Sequence, residues 1–161
     1  MYQIVDTNVL LVASKKAPQA SETCELSCEK HLQNLMNAGV LVIDNQWLII
    51  KEYMHKNSQS GQPNAGDKFL KWVLLNHTNP NRCEKVAITQ IAENDFSEFP
   101  RSPDLAKFDP SDRKFVAVAS THPAKPAIAN AVDSDWRNYE LVLKQYGVEI
   151  NFLCPELQAK T

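Results

Sequence analysis

No run of apolar residues in this chain approaches the roughly 20 needed to cross a bilayer, and the opening Met1-Tyr2-Gln3-Ile4-Val5-Asp6 lacks the basic then apolar pattern of a signal peptide. A soluble, cytosolic protein is expected, with no membrane partner. Excess basic charge is missing too. The 17 Lys and Arg against 19 Asp and Glu leave a formal net charge of −2, which excludes holding nucleic acid by bulk electrostatics. It does not exclude a nuclease, because acids committed to metal lower the apparent charge while local cations still face phosphates. There is no GxxxxGK[ST] or GxGxxG element to cradle nucleotide phosphates, and no Cys or His arrangement competes as a nucleophile. Repeats and low-complexity tracts are absent.

Cysteine is sparse. Cys24 and Cys28 are four apart on an expected helix, Cys83 and Cys154 lie far away, and without a secretory signal free thiols are expected. Cys24, Cys28 and His31 would share one helical face at i, i+4 and i+7. A zinc site there needs a fourth ligand from elsewhere, so core packing is the preferred reading.

What is present is the length and patterning of one α/β domain over residues 1–161. A chain this size buries roughly 68–70% of its unfolded surface, enough for a core without staples. Tyr2 to Val5 reads as a buried strand ended by Asp6-Thr7-Asn8, a polar cluster that can cap the segment after it. Ser14 to Ser21 reads as a loop, and Glu22 to Ala38 as a helix with Leu26, Leu35 and Met36 on its apolar face and Gly39 as its stop. Val40 to Ile43 is a second strand and Trp47 to Lys56 a helix carrying Glu52. After a loop with Gly61, Pro63 and Gly66 comes a helix over Asp67 to His77.

Val86 to Ile88 is a short third strand. Ile91 to Lys107 is mostly loop with Pro100 and Pro103, and Ile91 to Phe96 is the stretch that could turn helical. Asp109-Pro110-Ser111-Asp112 is a marked helix start: Asp at the N-cap, Pro at the first position and an acid three residues on. Ala127 to Val132 is a fourth strand, Trp136 to Gln145 a helix and Val148 to Leu153 a final strand. This alternation predicts a three-layer α/β/α sandwich around a twisted parallel sheet of four or five strands.

Ligands of such sheets bind beyond the carboxyl ends of the strands, and Asp6 and Asp133 stand at two of those ends. Glu52, Asp112 and Asp135 are the other candidates for the same rim. Two carboxylates ~4 Å apart at an effective dielectric of ~20 repel by about 4 kcal/mol, so a cluster persists mainly where a divalent cation fills it. Magnesium and manganese prefer oxygen ligands and keep several waters, which leaves room for a phosphate oxygen and an attacking water. Phosphodiester hydrolysis is the implied chemistry. Taken singly, each acid has a plainer role as a helix cap, a turn residue or a solvated helix residue.

Four segments occur together and in order: Ile4-Val5-Asp6-Thr7-Asn8-Val9-Leu10, Ile50-Lys51-Glu52-Tyr53, Asp112-Arg113-Lys114-Phe115-Val116-Ala117-Val118-Ala119 and Val132-Asp133-Ser134-Asp135-Trp136. Across essentially the whole chain this resembles the PIN-domain family of metal-dependent nucleases. The resemblance implies a twisted parallel sheet, a pocket for Mg2+ or Mn2+ and single-stranded RNA as substrate. By position, Asp6, Glu52, Asp112 and Asp133 would be the metal-binding catalytic acids, with Asp135 a supporting ligand and Asn8 a polar residue behind them. Arg113 and Lys114, with Lys15 and Lys16, would meet phosphates, and Trp136 would pack in the core or stack on a base. Compact size favours the toxin-like members, which implies an antitoxin-like protein inhibitor and a homodimer as partners. The chain departs from the family in the longer, proline-containing segment 92–108 and in Ala131-Val132, where a Thr often precedes the fourth acid. Two rivals stay open: a degenerate domain that binds RNA or protein without cutting, and a haloacid-dehalogenase-like phosphatase. The phosphatase needs a second acid at the place of Asn8.

Overall fold

The computed structural model describes residues 1–157. Five strands form one all-parallel sheet in the order β3-β2-β1-β6-β7: β1 Tyr2–Val5, β2 Val40–Asp44, β3 Cys83–Val86, β6 Ile128–Asn130 and β7 Ile150–Phe152. The helices α1 Thr7–Ala13, α2 Glu22–Ala38, α3 Leu48–Lys56, α4 Ala65–Asn76, α5 Arg113–Thr121, α6 Ser134–Asn138 and α7 Glu140–Gln145 flank it, which makes the expected α/β/α sandwich. Central β1 is apolar and buried, with Ile4 and Val5 fully covered, because a parallel strand has helices on both faces. It pairs with β2 through Tyr2↔Val40 and with β6 through Ile4↔Ile128 and Val5↔Ala129.

The chain therefore runs outward from β1 to β3 and then returns to β1's other side. That reversal is a topological switch point, where a crevice opens beyond the strand ends. Among the described residues no helix is long and apolar enough to cross a membrane.

Local sequence accounts for most boundaries. Ser21 accepts the Cys24 amide at the start of α2, and Glu22 and Glu25 sit favourably in its first turn. The helix packs through Cys24, Cys28, Leu32 and Leu35, while Leu26, expected on that face, is 65% exposed. Gly66 lets α4 approach α1 closely. A Cβ there would stand 2.5 Å from the Leu10 carbonyl, and the Gly66 amide donates instead to Ser14 Oγ at 2.9 Å.

Four expectations change. Two helices, not one, connect β1 to β2. The third strand begins at Cys83, ahead of its β-branched residues, because it pairs with β2 from Leu41↔Cys83 onward. Ile91 to Phe96 is not helical: β4 Gln90–Ala92 and β5 Asp95–Phe96 form an antiparallel hairpin. Its turn uses Asn94 at φ 54°, a left-handed position that Asn tolerates, so no glycine marks it in the sequence. The helix expected over Trp136 to Gln145 breaks at Tyr139 into α6 and α7.

The thiols are also corrected. Cys24 is disulfide-bonded to Cys154, 130 residues away, and Cys28 and Cys83 are free and buried. Cys28 Sγ lies 3.8 Å from Cys154 Sγ. The third sulfur beside Cys24 and Cys28 thus comes from the far end of the chain, and His31 is not part of the group. Helical spacing reveals one pair of cysteines but not the segment folded against them.

Candidate metal centre

Asp6 is the first residue beyond β1. Its amide donates to the Ala129 carbonyl of β6 at 3.0 Å, so backbone pairing fixes it at the switch point. Its side chain is 4% exposed and caps α1: Oδ1 accepts the Asn8 amide at 3.0 Å, while Oδ2 accepts Trp136 Nε1 at 2.6 Å. Asp133 lies beyond β6 and caps α6 by accepting the Asp135 amide at 3.0 Å. Asp112 ends a 3-10 turn, Pro110–Asp112, capped by Asp109 and leading directly into α5. The Pro and Asp that predict a helix start here do start one, and they place Asp112 on the rim.

Asp6, Asp112 and Asp133 offer one carboxylate oxygen each, all within 4.8 Å of one another. Burial pushes the Asp6 carboxyl up to about 6, although the Asn8 amide and the Trp136 indole hold it down and the Glu52 and Asp133 charges add to the rise. Asp112 is pushed up to about 9, first by burial and then by the charges of Asp6 and Asp133. Asp133 is raised by burial and eased by the Asp135 amide. Asp112 Oδ2 is buried with no hydrogen-bond partner in a residue only 6% exposed. An unmatched buried oxygen is costly, and the Asp112 carboxyl group stands beside two others. An all-oxygen donor set with unmet negative charge suits a hard divalent cation such as Mg2+ or Mn2+.

Glu52 is placed differently. It projects from α3 close enough for its charge to raise Asp6 and Asp112, but it is outside the three-oxygen group. One of its oxygens accepts the Thr7 hydroxyl, and the other accepts Lys114 Nζ at 2.9 Å. Asp135 also lies outside the three, next to Asp133. Asn8 sits behind the acids: its Nδ2 donates to Asn130 Oδ1 at 2.8 Å, and its Oδ1 accepts the Ala131 and Val132 amides at 2.9 and 3.2 Å. Asn130 in turn donates to the Asp133 carbonyl at 3.0 Å. The two strand ends are strapped together by amides. No second acid stands where the phosphatase alternative requires one.

The two expected phosphate contacts are engaged elsewhere. Lys114 is buried and held by Glu52 and the Ser111 carbonyl. Arg113 lies over the Phe99 ring with its guanidinium 3.7 Å from Asp95. Both start α5, but their side chains are occupied within the protein.

Three contributors escape sequence reasoning: Trp136 as donor to Asp6, Thr7 as donor to Glu52, and Asn130 as the strap. Trp136 is fully buried, packed edge-on to Phe108, and does not stack on a ligand. Its position beside two acids is the only signal the sequence carries. Comparison with protein-family models, with curated proteins and with solved structures returns no match.

Proposed function

We propose that this protein is a divalent-metal-dependent endoribonuclease of the PIN-like kind, which hydrolyses phosphodiester bonds of single-stranded RNA. The observation that carries the reading is the meeting of Asp6, Asp112 and Asp133 at the sheet's switch point, with one buried oxygen unmatched by any donor. These three residues would hold the ion. Bound magnesium or manganese supplies Lewis-acid polarisation of a phosphoryl oxygen and makes water acidic enough to attack.

The chain's own residues supply position. Trp136 and the Asn8 amide fix both oxygens of Asp6, so that carboxylate cannot swing away. The Asn8–Asn130 strap holds the ends of β1 and β6 at a constant separation. Thr7 and Lys114 hold Glu52 at the edge of the group, where its charge adds to the local field. A toxin-like role, with an antitoxin-like protein inhibitor, is the biological setting this reading implies.

The pairing of Glu52 with Lys114, which leaves three acids rather than four in the group, favours one alternative: a domain that binds RNA without cutting it. Manganese titration by calorimetry, run beside cleavage of a labelled single-stranded RNA, separates the two. The nuclease binds manganese, cuts the RNA and stops in excess chelator, and Asp6→Asn loses both properties. Manganese binding unchanged in Asp6→Asn would reject the site, and RNA bound but left intact by the metal-loaded protein would establish the alternative.

A further inference from the structure

We infer that the pocket between α3 and the β4–β5 hairpin, bordered by Glu52, holds one nucleotide of the single strand, its phosphate on Lys51 and His55 and its base edge on Gln90 and Asn94. This rests on the ribonuclease reading and states how the substrate is gripped beside the acids.

The pocket is open and measures about 190 Å³, and Glu52 lines it while also standing beside the carboxylate group. Glu52 thus joins the pocket to the rim of the carboxylate group. Lys51 and His55 lie four apart on α3 and share one side of the helix. Several other cations are already paired: Arg101 and Arg113 with Asp95, Lys114 with Glu52 and Arg137 with Glu140. Lys15 and Lys16 follow the C-terminal end of α1, about 10 Å of helix away from Asp6 at ~1.5 Å per residue. Among the described residues, the side chains of Lys51 and His55 have neither an ion pair nor a hydrogen bond, so a phosphate would meet an uncommitted ammonium and an uncommitted imidazole there.

The opposite wall argues for a base. Gln90 and Asn94 come from the two ends of the hairpin's first strand and turn, and neither amide has a side-chain partner among the described residues. A carboxamide presents donor and acceptor side by side, the pairing that an unstacked base edge requires and an inorganic anion does not use. Leu48 supplies an apolar surface in the same pocket.

Residue-resolved NMR titration of the metal-free protein in chelator, with the four nucleoside monophosphates and then a short single-stranded RNA, locates binding without any cleavage. Shifts are expected at residues 51–55 and 90–94. The double variant Lys51→Ala, His55→Ala should weaken RNA binding about tenfold and lower the log–log salt slope by about 0.7 for each lost phosphate contact. Gln90→Ala with Asn94→Ala should alter the ranking of the four bases by at least about fivefold with little change in salt slope. These side chains lie on the surface, and a thermal midpoint near wild type confirms that each variant is folded.

Shifts elsewhere, or both double variants binding like the parent, would overturn the inference. If metal-loaded protein cleaves RNA but both variants keep the parent's KM and base preference, the pocket assignment fails and the nuclease reading stands. If nucleotides map to this pocket but no metal yields cleavage, the nuclease reading fails and the pocket stands.

Discussion

Asp44 and the Asp6, Asp112 and Asp133 group close the same edge of the sheet, and the protein treats Asp44 and Asp112, both buried, in opposite ways. Asp44, at the end of β2, is 1% exposed, and its carboxylate accepts amides from Gln46, Leu48 and Ile49 at 2.8, 3.0 and 2.9 Å. The Leu48 and Ile49 amides are otherwise orphaned at the start of α3, and the Gln46 amide lies just ahead of its cap, Trp47. Asp112, beyond the neighbouring half of the sheet, has an oxygen with no donor and two other carboxylates beside it. Burial alone therefore does not identify a functional acid. The difference is whether the fold itself answers the charge. Asp44 is answered by backbone and is structural, whereas Asp112, beside Asp6 and Asp133, keeps an oxygen that no protein donor meets. Glu52 stands between them, partly exposed and answered by Thr7 and Lys114.

The largest test of that contrast is catalytic. Asp112→Asn should reduce RNA cleavage by at least about a hundredfold, since even residues behind metal ligands change metal affinity or activity ~10- to 100-fold. Single-turnover assays across a manganese series would show it, and cleavage near the parent's rate would break the comparison at its functional end.

Next comes an inversion of sign in stability. Asp44→Ala should cost about 2–4 kcal/mol, because it strands two helix-start amides and the Gln46 amide and removes charge-assisted bonds. Asp112→Asn should instead raise the metal-free midpoint by several degrees, at roughly 2–4 °C per kcal/mol for a chain of this size. Thermal melts in chelator decide it. If both variants destabilise, the Asp112 charge is answered in solution after all.

A pH series sharpens the same point. Because Asp112 is pushed up to about 9 and Asp6 to about 6, the folded metal-free protein binds more protons than the unfolded chain between about pH 4 and those values. The stability they contribute is complete below about pH 4. It is lost as pH rises through about 6 for Asp6 and about 9 for Asp112. The chelated midpoint should therefore fall on going alkaline, less steeply in Asp112→Asn, and saturating manganese should offset the fall. A slope that is the same in parent and variant would refute the assignment.

The smallest effect concerns Trp136. Trp136→Phe keeps most of the packing but removes the donor to Asp6, and loss of a hydrogen bond to a charged group costs about 1.5–3 kcal/mol where the charge is present. The expected signature is weaker manganese affinity with the fold retained.

Sequence by itself determined the architecture and the places of the acids. Val5-Asp6 and Ala131-Val132-Asp133 mark strand ends because an apolar run stops at a polar cap, and Asp109-Pro110 marks a helix start because the proline fixes its own φ and needs no amide partner. Those signals are local, so they are readable without coordinates. Only the tertiary structure decided which acids meet. Sheet order puts β1 beside β6, so Asp6 joins Asp133, while a 3-10 turn delivers Asp112 and Lys114 draws Glu52 aside. The same holds for Cys154 against α2, Trp136 against Asp6 and the β4–β5 hairpin over α3. Each joins residues distant in the chain through packing of whole elements, and no spacing within a segment records that.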